Sequence, residues 1–141
     1  MANIRSQGST IWRLDTETSP NAYAQIGQVV SIDGPTGSAG TIDVTHLSST
    51  GREFISSLPD WGTVALGVIW DPATASLQHD ELWDDFNAGN VRTYQIRLSN
   101  SPQTELTFSA YPTEHPISIA VDDKVGATIT LKTTGAVTLT L

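Results

Sequence analysis

The stretch SSTGREFISSLPDWG, residues 48–62, separates two segments patterned as β-strands. Before it, Thr41-Ile42-Asp43-Val44-Thr45 alternates apolar and polar residues; after it, Val64-Ala65-Leu66-Gly67-Val68-Ile69-Trp70 is apolar throughout. A hairpin reverses direction in two to five residues, so a longer connection has another use. Phe54, Ile55, Leu58 and Trp61 are costly to leave in water, which argues against disorder. Either they fold back as a small satellite core, or they meet another subunit.

The remainder of the chain is consistent with one domain. Its 141 residues suffice to bury a core. There are no cysteines, which excludes disulfides and thiolate metal sites. The start, Met1 to Ser6, shows no signal-peptide pattern, and no run reaches membrane-spanning length. A protein made and used in solution is the expectation. Seven Lys and Arg stand against fifteen Asp and Glu, for a net charge of −8. Tight nucleic-acid binding needs the opposite balance, because cations must replace phosphate counterions. Acidity serves solubility in general, and it also suits a surface that DNA must pass without sticking.

Alternation and β-rich composition predict strands at residues 10–14, 28–33, 41–46, 64–70, 93–99, 105–111, 117–121, 127–132 and 137–141. The Gly- and Pro-rich stretch from Gly34 to Gly40 reads as the turn of a first hairpin. In that hairpin Val30, Ile32, Ile42 and Val44 share one face, and Asp33 and Asp43 share the other. One helix stands out. His79, Leu82, Trp83 and Phe86 fall at i, i+3, i+4 and i+7, with Gly89 placed to end it. The opposite face carries Asp80, Glu81, Asp84 and Asp85, which form like-charge i, i+4 pairs. Such a helix is weak alone, so Leu82, Trp83 and Phe86 must anchor it to a sheet.

Catalytic and ligand motifs are absent from the sequence. Gly34–Gly40 matches neither a dinucleotide nor a P-loop pattern, and a strand follows it. No serine sits in a nucleophile elbow. His46, His79 and His115 lack metal-ligand spacing. The acidic helix face lacks an EF-hand pattern and reads as a solvated surface. No enzyme, cofactor or metal role is expected.

The ordered features resemble the major tail tube proteins of long, non-contractile-tailed bacteriophages. They are Ser31-Ile32-Asp33-Gly34-Pro35 and Ile42-Asp43-Val44-Thr45, then Arg52-Glu53-Phe54-Ile55 with Leu58-Pro59-Asp60, then Trp70-Asp71-Pro72. The helix from Leu82 to Gly89, Tyr94-Gln95-Ile96, Val121-Asp122-Asp123 and Ile129-Thr130-Leu131-Lys132-Thr133 complete the series. The resemblance spans residues 29–133.

It implies a mainly β protein, a β-sandwich or barrel with one α-helix packed against it. An extended N-terminal arm, residues 1–21, would precede a single body, residues 22–141. The segment 47–61 would be a long hairpin loop reaching neighbouring subunits and the next ring through Arg52, Glu53, Phe54, Ile55, Leu58 and Trp61. The arm and the C-terminal tail would bridge subunits similarly. Such chains form a homo-oligomer of six-membered rings stacked into a tube around the tape-measure protein. Tail-tip and tail-terminator proteins are further partners, and DNA passes through without specific binding. The expected location is the virion tail, reached from host cytoplasm during assembly. Polar-face Asp33 and Asp43 are the candidates for the lumen wall. The rival readings are the tube of a related secretion or bacteriocin particle, and a β-sandwich carbohydrate-binding module using Trp12, Trp61 and Trp70. The first is separated by genomic context, and the second by remaining monomeric.

Overall fold

Every second residue of the central strands turns inward, and these residues build the core. Val64, Leu66 and Val68 from one strand meet Ala127, Ile129 and Leu131 from its neighbour, with Ile11, Tyr94, Ile96 and Phe108 completing the cluster. The computed structural model describes residues 4, 7–15, 22–121 and 123–141.

The strands are β1 (Thr10–Asp15), β2 (Ala22–Gln25), β3 (Val29–Asp33), β4 (Ser38–Asp43), β5 (Phe54–Asp60), β6 (Thr63–Ile69), β7 (Arg92–Arg97), β8 (Glu105–Glu114), β9 (Ile117–Ser118) and β10 (Gly126–Thr140). A 3-10 turn at Ala75–Leu77 leads into α1 (His79–Ala88). The main sheet runs β2-β1-β7-β8-β10-β6-β3, all antiparallel, with β9 beside β10. The described residues are therefore mainly β with one α-helix, as expected.

Two edge strands, β2 and β3, are separated in sequence by Ile26, Gly27 and Gln28 alone. The Ile26 amide donates to Ile11 O on one side, and Gln28 O accepts from the Ile69 amide on the other. Three residues thus span the seam, so the sheet must roll until its edges meet at that end. Gly27 leaves room there for the end of the Leu77 side chain, which a Cβ would displace.

The first hairpin is paired differently from the sequence expectation. β3 pairs β6, while β4 pairs β5 in a separate two-stranded ribbon. The reason lies in β6, which buries every second residue in the core and is paired on both sides, by β10 and by β3. The glycine-rich stretch after Asp33 bends the ribbon away from the body rather than reversing it. Val30 does not share the inward face with Ile32. A register shift between Val29 and Ser31 leaves Val30 exposed while Val29 and Ile32 pack on the core.

Other boundaries shift in the same way. Half of the expected loop 47–61 is strand β5. The stretches 127–132 and 137–141 form one strand, β10, whose register shifts around Gly135 (φ +84°). Of the expected arm, Thr10–Asp15 is strand β1 inside the main sheet. Residues 1–3, 5–6 and 16–21 of that arm, and Asp122, lie outside the described residues.

Candidate assembly surfaces

The β4–β5 ribbon projects from the body with little to cover it. Thr41 opposes Ser56, Ile42 opposes Ile55 and Asp43 opposes Phe54. Directly opposed residues share a face, so Ile42 and Ile55 lie on one side of the ribbon and Phe54 on the other. Phe54 and Ile55 are about half exposed, and Leu58 is 91% exposed. A two-stranded ribbon is marginal in water unless another surface packs on it. Trp61 differs from its neighbours in the sequence: it is half-buried against Gly37 at the base of the ribbon.

The tip, residues 44–53, is ordered by its own polar groups. The Val44 amide donates to Glu53 O (2.9 Å), and Asp43 accepts from the Thr45 amide (2.9 Å). Arg52 Nη1 reaches the Asp43 carboxylate at 3.1 Å, and Ser49 Oγ donates to Glu53 at 2.6 Å. The hydrogen bonds from Thr45 and the Arg52 guanidinium hold the Asp43 carboxyl below its ordinary range. Asp43 is thus engaged within the tip, on a different sheet from Asp33.

Asp33 belongs to the outward face of the main sheet. It sits opposite Ala65, which sits opposite Thr130; one step along, Ser31, Gly67 and Thr128 form a parallel row. The face is built from small and hydroxyl residues, and the Ser31 hydroxyl sits over Gly67 where a Cβ would displace it. Lys132, at the end of the face, is paired with Asp60 of the ribbon at 3.1 Å.

On the helix, the inward stripe is rotated from the expected one. His79, Leu82 and Asp85 are buried, Phe86 is half-buried, and Trp83 is 38% exposed. The acidic face is therefore only partly a solvated one. Asp85 points inward because Arg13 is there to receive it. Arg13 Nε lies 2.8 Å from Oδ2, and Arg92 Nε lies 3.3 Å from Oδ1. Sequence reading missed Arg13; its signal was parity, because Ile11 and Arg13 face the same way on β1. His79 was expected to pack with the helix and does so while holding the seam. Its Nδ1 accepts from the Asp71 amide (2.9 Å), and its Nε2 donates to Gly27 O (2.8 Å).

His115 sits among Trp70, Trp83 and Phe86, with the Trp83 ring edge-on at 5.0 Å. Among the described residues neither of its ring nitrogens has a hydrogen-bond partner, and burial pushes its pKa down. No group of three or more potential metal ligands occurs among the described residues. A cleft of about 700 Å³ is lined by residues such as Val29, Ile32, Ile96, Leu98 and Leu106, none of them titratable. The tryptophans proposed for sugar stacking are half-buried and engaged within the chain: Arg97 lies 4.2 Å over Trp12, Trp61 packs on Gly37, and Trp70 belongs to the aromatic cluster. No helix among the described residues is long and apolar enough to cross a membrane.

A well-packed β body that presents an uncovered apolar ribbon defines a structural subunit. Residues 9–140 match the lambda phage tail tube protein family, and the chain belongs to it. It is a tail tube protein, with a structural and non-enzymatic role in the virion tail. No curated protein matches it by sequence. Solved structures share its fold at low identity. The tail of an empty gene transfer agent particle, refined with C6 symmetry, is 15% identical with a TM-score of 0.76, covering 99% of this chain and 100% of that one. The sheath/tube terminator of an extracellular contractile injection system is 17% identical, with a TM-score of 0.76 and coverage of 100% and 99%. The SPP1 tail tube is 14% identical, with a TM-score of 0.73 and coverage of 97% and 78%.

Proposed function

We propose that this chain closes into six-membered rings that stack into a hollow tail tube around the tape-measure protein. Tail-tip and terminator proteins bound its ends, and DNA later passes through it without specific binding. The observation that carries the reading is the uncovered ribbon, apolar on both faces and attached to a packed body. Phe54, Ile55 and Leu58 are its subunit contacts, flanked by Arg52 and Glu53, with Trp61 bracing the base. The C6 symmetry of the gene transfer agent tail supports a ring of six. Assembly takes place in host cytoplasm.

The face bearing Asp33, Ser31, Thr128 and Thr130 is the wall of the bore in this proposal. It offers phosphates a carboxylate and hydroxyls, and its cation Lys132 is already paired. Counterion release, which drives DNA adhesion, has nothing to act on there. Asp43 contributes through the tip, by holding Arg52.

Electron microscopy of concentrated protein tests the reading: rings or tubes are expected, and a strict monomer in the presence of its tail-tip initiator overturns it. The likeness to the contractile injection particle favours one alternative, the tube of such a particle. Purified particles carrying a sheath around this tube would decide for it.

A further inference from the structure

The ribbon joins the body at an elbow, and the chemistry of the elbow is specific. The β3–β6 ladder stops at Asp33–Ala65, and the β4–β5 ladder starts at Ser38–Asp60. Between them Gly34 (φ +115°) and Gly62 (φ +66°) take left-handed backbone. A Cβ on Gly34 would run into Thr63 O, and one on Gly62 into the Thr36 hydroxyl. Gly62 O accepts from both the Thr133 amide (3.1 Å) and the Thr133 hydroxyl (2.9 Å), which roots the elbow in β10.

Beyond that root, one ion pair among the described residues ties ribbon to body. Asp60 Oδ1 accepts from the Gly62 amide at 2.9 Å and from Lys132 Nζ at 3.1 Å. Lys132 stands on β10 between Thr63 and Tyr111 of the flanking strands. The carboxylate therefore touches the hinge backbone and the rigid sheet at once.

We infer that Asp60 and Lys132 are positioning residues: they latch the ribbon at the angle from which Leu58, Ile55 and Phe54 engage a second copy of this chain. The inference rests on the tube reading above. Leverage makes the angle matter. Phe54 lies six residues from Asp60, about 20 Å along a strand, so a swing of about 20° moves it by about 7 Å. That is a whole side-chain width, enough to miss a packed site. Two glycines leave the backbone free to swing, and the ion pair selects one pose. An exposed pair of this kind adds little to the stability of the body, so its effect lies in the fraction of subunits with the ribbon correctly aimed.

The test uses Asp60→Asn, which keeps the acceptor for the Gly62 amide, together with Lys132→Gln and the conservative Lys132→Arg. The critical concentration for tube assembly should rise about three- to fivefold in Asp60→Asn and Lys132→Gln and stay at the native value in Lys132→Arg. The monomer melting temperature should be unchanged in all three. Because the chain has no cysteine, spin labels at Thr50→Cys and Ser76→Cys report the ribbon angle in the monomer. Their distance distribution should be narrow in the native and Lys132→Arg proteins and broad in the other two. Unaltered distances and native assembly in Asp60→Asn overturn the latch. A large fall in melting temperature also overturns it, by making the pair a fold element. A native protein that never assembles overturns the tube reading instead, while the distance measurement still decides the latch.

Discussion

Asp85 shows how one residue changes the account of a whole helix. Its carboxylate lies buried between Arg13 and Arg92. Removing one member of a buried pair leaves an uncompensated charge, so Asp85→Ala should cost about 3–5 kcal/mol in a denaturant melt. Asp84 is exposed, and Asp84→Asn should stay within about 0.5 kcal/mol of native. The two are adjacent in sequence and of the same residue type. A periodicity count assigned both to the solvated face, because the partner that draws Asp85 inward comes from a strand 72 positions away. Leu82, expected as an anchor, is fully buried, and Leu82→Ala should cost about 2–5 kcal/mol. Trp83→Ala should cost less, since over a third of that residue stays in water. His115 carries a pH dependence of definite sign. Burial holds its pKa below the ordinary value, so the folded state prefers the neutral ring. Its contribution is intact above the unfolded value of about 6.5 and is lost as pH falls below it. His115→Phe should flatten the stability profile between pH 7 and 5, as read by thermal melts across that range.

Among the elements, the β4–β5 ribbon separates folding from assembly. Its apolar side chains gain burial only against another chain. Phe54→Ser with Ile55→Ser should leave the monomer melt near native and abolish tubes in the microscope. A satellite core would instead lower the melting temperature sharply. The composition of the ribbon was legible in the sequence, as were α1, its Gly89 cap and most strands. Strand partnership was not. Gly34 to Gly40 carries the chemistry of a reversal, and the same residues serve a bend. Which of the two occurs is decided by β6, an inner strand paired on one side by β10 and on the other by β3. That requirement is tertiary and leaves no mark within residues 34–40. The bulge that exposes Val30 is hidden for the same reason.

At the scale of the whole molecule, the question is which surface faces the bore. Single cysteines answer it, since the native chain has none. Thr128→Cys should react in assembled tubes with a small maleimide and resist one carrying a bulky polymer, while the monomer reacts with both. Equal reaction with the bulky reagent in tubes would remove this face from the bore. Asp33→Lys should leave the fold intact and yield particles that release DNA slowly, most of all at low salt, where attraction to phosphate is least screened. The position of β10 has a consequence for synthesis. It is later in the chain than every strand it joins, yet it lies between β8 and β6 at the middle of the sheet. Until it emerges from the ribosome, β2-β1-β7-β8 and β3-β6 have no shared strand to join them into one sheet. The ribbon is already translated by then, but it has no finished body to aim it. The completed subunit, with β10 in place, is thus the first form of the chain in which one continuous sheet carries the ribbon.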